Sequence, residues 1–348
     1  MLALTELRNL AAGCGFQLCG VTPARPAYDA AWFDRWAEAG YAGKMGYLTD
    51  HRRERRGDPR SLLPAAETII CVGKLYNGPQ AHCEDASQPR ISRYAWGRDY
   101  HDVLREGLER LAQALGQHEY KICVDTAPLL ERSYAQLAGL GWIGKNTCLI
   151  NQQAGSWFFL GELLTSLRIT ADPQVADDRC GTCTRCIDAC PTQAILPLDG
   201  RRHTVDARLC IAYLTIELRG DVPEELRAAM GNHIFGCDIC QDVCPWNARA
   251  PVTDEFAPLH AARPLEALAA LTPEQFQQLY RDTPVPHARY TGFLRNVAIA
   301  MGNGGDERYR PALEELARHP SATIAESARW ALKVLRQACL SVPGAHAS

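Results

Sequence analysis

The apolar positions of the chain switch repeatedly between a period near 3.6 and a period near 2, and the switches predict its elements. Leu4, Leu7, Leu10 and Ala11 share one helical face, Gly13 and Gly15 end that helix, and Phe16 to Val21 is apolar enough for a strand. Pro23 and Pro26 break the strand, and Tyr28 to Ala39 is helical again, with Trp32 and Trp36 on one face. Thr68 to Leu75 is a β-branched apolar run, which predicts a buried strand. Residues 77–91 are polar and rich in Pro, Gly and Ser, a loop. Leu104, Leu108, Leu111 and Leu115 stripe a long helix from Val103 to Leu115, and Tyr120 to Val124 is a strand. Thr147 to Asn151 and Trp157 to Leu164 read as the two strands of a hairpin. Residues 165–179 read as a linker. Residues 265–340 are helical, with stripes at Leu294, Val297, Ala298 and Met301, at Leu313, Leu316 and Ala317, and at Ile324, Ala328, Ala331, Leu332 and Leu335. Short helices joined by Gly-Asn-Gly-Gly and His-Pro-Ser predict repeats of HEAT type.

A length of 348 residues with 47% hydrophobic and 22% charged residues describes an ordinary globular chain of two or three domains. The net charge of -3 supplies no global basic field, so a nucleic-acid partner has to be held by a local patch. No run of eighteen apolar residues exists, and Met1-Leu-Ala-Leu-Thr-Glu-Leu-Arg is no export signal. A cytoplasmic chain with no membrane partner is the expectation. Fifteen cysteines are many for such a chain.

Eight of them explain the excess. Cys180-Gly-Thr-Cys183-Thr-Arg-Cys186-Ile-Asp-Ala-Cys190-Pro191 has the C-x2-C-x2-C-x3-C-P spacing of a bacterial [4Fe–4S] site. Cys237-Asp-Ile-Cys240-Gln-Asp-Val-Cys244-Pro245 repeats it without the first cysteine, and Cys210 can supply the missing thiolate. In two-cluster ferredoxins the fourth cysteine of each run ligates the other cluster. The expected sets are therefore Cys180, Cys183, Cys186 and Cys244 for one cluster, and Cys190, Cys210, Cys237 and Cys240 for the other. Zinc would leave surplus ligands, and disulfides need an oxidising compartment. The other seven cysteines lack ligand spacing and read as small buried hydrophobes.

Upstream, His51-Arg-Arg-Glu-Arg-Arg56 is either a solvated face or an anion site. Asp125, at the end of a strand and before a loop and helix, either faces a pocket or caps the helix that Pro128 begins. Gly139, Gly141 and Gly144 either let the backbone approach a large planar ligand or make turns. Asp99-Tyr-His101-Asp-Val-Leu104 approaches the D-x-H-x-x-G pattern by which a histidine is exchanged onto the cobalt of cobalamin. Leu104 stands where that pattern has Gly, so Asp99 reads as an N-cap and His101 as a first-turn residue.

Taken together, Ser92-Arg-Tyr-Ala-Trp96-Gly-Arg-Asp-Tyr-His101, Val124-Asp125-Thr-Ala-Pro-Leu-Leu-Glu131-Arg132, Gly139-Leu-Gly-Trp-Ile-Gly-Lys145-Asn146, the cysteine runs and the helical tail resemble the epoxyqueuosine reductase family over essentially the whole chain. The resemblance implies an α+β protein. Its expected parts are a nitroreductase-like cobalamin-binding domain over 1–170, a ferredoxin-like two-cluster domain over 171–255, and HEAT-like helices for tRNA recognition over 256–348. It implies a monomeric enzyme that reduces epoxyqueuosine to queuosine at the wobble position of tRNA by cob(I)alamin-dependent removal of the epoxide oxygen. The cofactors would be base-off cobalamin and two [4Fe–4S] clusters, fed by an external low-potential donor such as flavodoxin or ferredoxin. Asp125 falls on the proton donor, in a pocket expected to keep it protonated by desolvation instead of pairing it with a cation. Arg56 and Ser92 fall on cobalamin-contacting positions, with Arg132 and Lys145 placed near the corrin or the substrate by adjacency. Arg201-Arg202-His203, Lys44, Arg289 and Arg295 are candidates for the tRNA patch, against the plainer reading of solvated surface.

Two other readings compete. A corrinoid and iron–sulfur reductase of a small molecule, dehalogenase-like, needs no helical tail. An electron-transfer activator of another corrinoid protein needs no proton donor at Asp125.

Overall fold

The computed structural model describes residues 2–80, 85, 87–170, 175–198 and 203–341. In chain order the elements begin with α1 (Leu4–Gly13), β1 (Leu18–Pro23), α2 (Ala30–Glu38), β2 (Thr68–Leu75), β3 (Arg90–Ile91), α3 (Tyr100–Ala114) and β4 (Tyr120–Cys123). They continue with α4 (Glu131–Leu137), β5 (Trp142–Ile143), β6 (Leu149–Ile150), β7 (Phe158–Thr165), α5 (Arg185–Asp188), β8 (Ile195–Pro197) and β9 (His203–Val205). Next come α6 (Ile211–Ile216), α7 (Glu224–Arg227), β10 (His233–Phe235) and α8 (Ile239–Asp242). The last five are α9 (Leu265–Ala269), α10 (Pro273–Tyr280), α11 (Arg289–Gly304), α12 (Arg310–Leu316) and α13 (Ala322–Ser341). Among the described residues no helix is long and apolar enough to cross a membrane.

The chain folds into two compact units, each discontinuous in sequence. One comprises residues 1–79, 98–207 and 239–257; the other comprises 80–97, 208–238 and 258–348. The two-cluster segment leaves the first unit at Arg208 and returns to it at Ile239, so compactness divides the chain elsewhere than at 170 and 255.

The first unit is built on an antiparallel sheet in the order β1-β2-β7-β4. β2 is central and all eight of its residues are buried, which is why it reads as a continuous apolar run. Side chains of β7 alternate between two covered faces. Gly161 faces α3, where an added Cβ would stand 3.0 Å from Leu108 and 3.2 Å from Leu104. Phe158 and Leu164 face the cluster that contains Tyr134, Ala135 and Ala138 on and beside α4. The expected hairpin between 147 and 164 does not form. β6 pairs with β5, and β7 pairs with β2 and β4, leaving only an Asn151–Gly155 bridge at the turn. Gly141 permits the β5–β6 pairing, since a Cβ there would meet the Ile150 carbonyl at 2.1 Å.

In the second unit β10 pairs in parallel with β3, and α11 is buried from Gly292 to Gly302. Gly302 lets α13 approach: a Cβ there would meet Ala331 Cα at 2.9 Å. Arg295, expected at the surface, is 1% exposed. Its guanidinium donates to the carbonyls of Leu218 at 2.9 Å and Gly220 at 2.6 Å, and to that of Leu214. The correction follows from α11 being covered all round by its own unit, so an arginine on it serves as a donor to loose carbonyls at the end of α6. Arg289 and Lys44 are exposed and His203 is half-buried; Arg201 and Arg202 lie outside the described residues.

Candidate active site and cluster-binding residues

Asp125 follows the end of β4 and adopts φ 52, a left-handed conformation that is uncommon for a residue with a side chain. It does not cap α4, whose N-cap is Leu130. Instead its N–H donates to Glu131 Oε1 at 2.5 Å, so the first residue of α4 reaches back and holds the loop. That leaves the Asp125 side chain 59% exposed and its carboxylate free to face outward.

His101 stands beside it. Asp99 N-caps α3 and accepts the His101 N–H at 3.0 Å, as expected from sequence. The same carboxylate lies 2.7 Å from His101 Nδ1, while His101 Nε2 lies 3.3 Å from Asp125 Oδ2. Tyr100 stacks on the imidazole at 4.1 Å and on Phe159 at 4.4 Å, fixing the ring from the core side. Burial alone would lower the His101 pKa, but hydrogen bonds to Asp125 and Asp99 outweigh it and push it up to about 9. At neutral pH the imidazole is therefore an imidazolium, held between the side chains of Asp99 and Asp125. This corrects the expectation of a desolvated Asp125 kept away from cations: the loop turns the carboxylate outward onto the end of α3. The sequence contained the signal for His101 in Asp99-Tyr-His101, and the missing glycine hid it.

The other candidates fall in distinct settings. Arg56 is 7% exposed. Its Nη2 donates to the Tyr47 carbonyl at 3.1 Å, its guanidinium lies 5.9 Å from the Phe33 ring, and its buried Nε has no partner. Burial lowers its pKa. A buried guanidinium with an idle donor fits an anionic or amide-bearing ligand. Arg132 is exposed and its Nη1 donates to the Thr147 carbonyl at 2.5 Å. Lys145 spends its ammonium on the carbonyls of Gly181 and Cys183, both at 2.9 Å, and so fastens the loop of the first cysteine run. Ser92 belongs to the second unit, where its hydroxyl donates to Asp238 and its N–H to the Phe235 carbonyl at 2.8 Å.

The four cysteines of the first expected set all belong to the first unit. Burial first, then Cys180, Cys244 and Cys183 in turn, push the Cys186 thiol up to about 11. Cys180, Cys183 and Cys244 thus all stand near the Cys186 thiol, Cys244 coming from the second run. Backbone N–H groups of Trp246 and Asn247 lie against Cys244, and that of Lys145 against Cys180. The buried Trp142 Nε1 has no oxygen or nitrogen partner and also points at the Cys180 thiol. N–H donors turned on sulfur suit thiolates carrying cluster charge. In the second set, Cys190 and Cys240 belong to the first unit and Cys210 and Cys237 to the second. Cys190 Sγ accepts the Ala194 N–H at 3.3 Å. Among the described residues no three His, Cys, Asp or Glu side chains converge on a single metal ion.

Comparison with known proteins adds two family models. One described as a 4Fe-4S double cluster binding domain matches residues 179–247, and one described as epoxyqueuosine reductase QueG, DUF1730, matches residues 56–126. The chain is 42% identical over 347 residues to an epoxyqueuosine reductase of Xanthomonas campestris pv. campestris, covering 95% of each. It resembles the crystal structure of an epoxyqueuosine reductase with an epoxyqueuosine-modified tRNA-Tyr stem loop, with TM-score 0.85, 30% identity, and coverage of 98% of this chain and 94% of that one. It also resembles the Bacillus subtilis epoxyqueuosine reductase captured with its aspartate catalytic loop swung out of the active site, with TM-score 0.83, 28% identity, and coverage of 98% and 95%.

Proposed function

This chain belongs to the epoxyqueuosine reductase family, and from that premise we propose how its own residues carry the reaction. It is an oxidoreductase that reduces epoxyqueuosine to queuosine. Removing an epoxide oxygen takes up two electrons and two protons, releases one water and leaves a carbon–carbon double bond. Base-off cobalamin, when bound, supplies the low-potential reduction, with two [4Fe–4S] clusters passing it electrons one at a time.

The residues of this chain handle the proton. The observation that carries the reading is the line Asp99–His101–Asp125, with Asp125 exposed at its outer end. The opened epoxide develops charge on oxygen, and a positioned acid must protonate it before it leaves. Asp125 is that acid: it takes a proton from the imidazolium of His101 across the 3.3 Å contact and passes it to the oxygen. Asp99 orients the ring and holds its Nδ1 proton, as carboxylates orient imidazoles in general acid–base sites. A relative's aspartate-bearing catalytic loop agrees with placing the donor on the Asp125 loop.

Arg56 is the strongest of the cobalamin-holding residues, through its idle buried Nε. Arg132, in the same unit, is the second, and Lys145 steadies the loop of the first cysteine run. Residues 1–170 bind cobalamin, 171–255 bind the clusters, and the HEAT-like helices of 256–348 recognise tRNA, with exposed Lys44 and Arg289 contributing to backbone contacts. The chain works as a monomer with a flavodoxin or ferredoxin as donor.

The test is Asp125→Ala, prepared with clusters and cobalamin loaded. It should retain both cofactors and lose turnover of epoxyqueuosine tRNA; normal turnover sinks the assignment. In a strain lacking the chain, tRNA nucleosides should accumulate epoxyqueuosine.

A further inference from the structure

Glu162 is the anomaly of the core. It sits in the middle of β7, 0% exposed. Its register partners are Cys71 on β2 and Cys123 on β4. No N–H or O–H among the described residues reaches either carboxylate oxygen. An ionised carboxylate in that position would be a buried anion with no donor and no cation, which proteins avoid. The alternation of β7 turns Glu162 toward α4, and there the Glu131 carboxyl meets it. Two acceptors face each other, and a single proton between them converts a repulsion into a hydrogen bond.

Glu131 is also the residue that accepts the Asp125 N–H at 2.5 Å. The connection therefore runs from the sheet core to the loop: Glu162, Glu131, then the backbone of a non-glycine residue held at φ 52. A left-handed aspartate is disfavoured unless its surroundings hold it, and its N–H bond to Glu131 is one direct restraint.

We propose that Glu162 and Glu131 share a proton and together form a positioning latch: Glu162 donates to Glu131, and Glu131, kept in place as an acceptor, pins Asp125. The proposal rests on Asp125 being the proton donor. It assigns work to a buried acid that the proton transfer does not otherwise use.

The surroundings agree in sign. Burial chiefly, then the Glu131 charge and the hydrogen bond to it, raise the Glu162 carboxyl. Burial and the Asp125 charge raise Glu131, while the Asp125 N–H, Arg132 and the bond to Glu162 pull it back. That is the pattern of a protonated donor beside an acceptor. The groups facing the pair are Asp125 from the loop, Arg132 from α4, Cys71 from β2 and Cys123 from β4, with Arg56 sensing Glu131. Burial, with the carboxylates adding to it, drives both thiols upward, so they stay neutral and offer no counter-charge. When alkali removes the shared proton, two adjacent anions remain in the core, and Glu131 swings from Glu162 and releases the loop.

Amide hydrogen exchange of peptides covering residues 124–130, corrected for the intrinsic pH dependence, tests this in the cofactor-loaded chain between pH 6 and 10. The wild type should protect this segment near neutrality and lose at least about tenfold of that protection at the alkaline end. Glu162→Gln keeps a permanent N–H donor for Glu131 and should hold the protection at the alkaline end. Glu131→Ala should expose the segment at every pH while peptides of β2 and β7 keep their protection. If Glu162→Gln shows the wild-type pH dependence, or Glu131→Ala leaves 124–130 protected, the latch is refuted. Exchange does not depend on turnover, so an active Asp125→Ala enzyme would remove the proton-donor reading without touching this measurement.

Discussion

Glu162→Gln should make the folded chain more stable at neutral pH, by an amount that grows with pH. Glu162 is fully buried, and its carboxyl is raised well above its ordinary 4.5 by that burial first and by Glu131 second. The folded state therefore binds a proton that the unfolded state gives up. Stability falls as pH rises wherever the folded state holds more protons, from 4.5 upward until the buried carboxyl finally ionises. Each pH unit in that window costs about 1.4 kcal/mol. Between 4.5 and neutral pH the cost reaches about 3 kcal/mol. Glutamine has the same shape, never ionises and can still donate to Glu131. Allowing about 1 kcal/mol for a poorer hydrogen bond, the variant should gain on the order of 2 kcal/mol at pH 7 and lose about 1 kcal/mol near pH 4.5. Urea unfolding of both chains at pH 5, 6, 7 and 8, followed through the unit that contains Glu162, reads this as a widening midpoint difference at constant slope. A difference that stays level with pH, or a variant less stable than its parent at pH 8, would falsify the protonated Glu162.

Other substitutions probe separate parts of the chain. His101→Gln should flatten a different pH dependence. The His101 pKa is raised to about 9, so its contribution is complete below 6.5 and disappears as pH rises through about 9. Thermal unfolding should show the variant less stable by on the order of 2 kcal/mol at pH 6, with the gap closed by pH 10. Lys145→Met removes the two contacts to the Gly181 and Cys183 carbonyls, and iron release to a chelator should become several-fold faster with no change in iron content at loading. Arg295→Met strips donors from three carbonyls at the end of α6 and should cost about 3 kcal/mol or more in urea unfolding. Iron analysis after anaerobic reconstitution should give about eight atoms per chain, four per cubane; about four would remove the second cluster.

The chemistry of clusters was legible because cysteine spacing is a local covalent property. The Cys180–Pro191 run carries its ligand pattern whatever surrounds it, and the 179–247 family match agrees. Elements whose residues bury themselves by their own pattern were legible too: β2 begins and ends at the expected residues, and Asp99 caps α3 as its type predicts. The failures share a different cause. β7 has the composition of a hairpin strand, but its partners are β2 and β4, distant in sequence. Arg295 has the composition of a surface residue, but α11 is enclosed on all sides.

The sequence by itself thus pointed to the reaction class, to the two cysteine runs and to Asp125 as a candidate acid, since each rests on residue types and spacings within a short stretch. Tertiary structure decided what stands next to Asp125. His101 arrives from the start of α3, Glu131 from the start of α4 and Glu162 from the middle of β7, and none of these meetings is encoded by periodicity. A period reports which side of an element is apolar. It does not report which other element covers that side, and the protonation of a buried carboxyl depends on that neighbour.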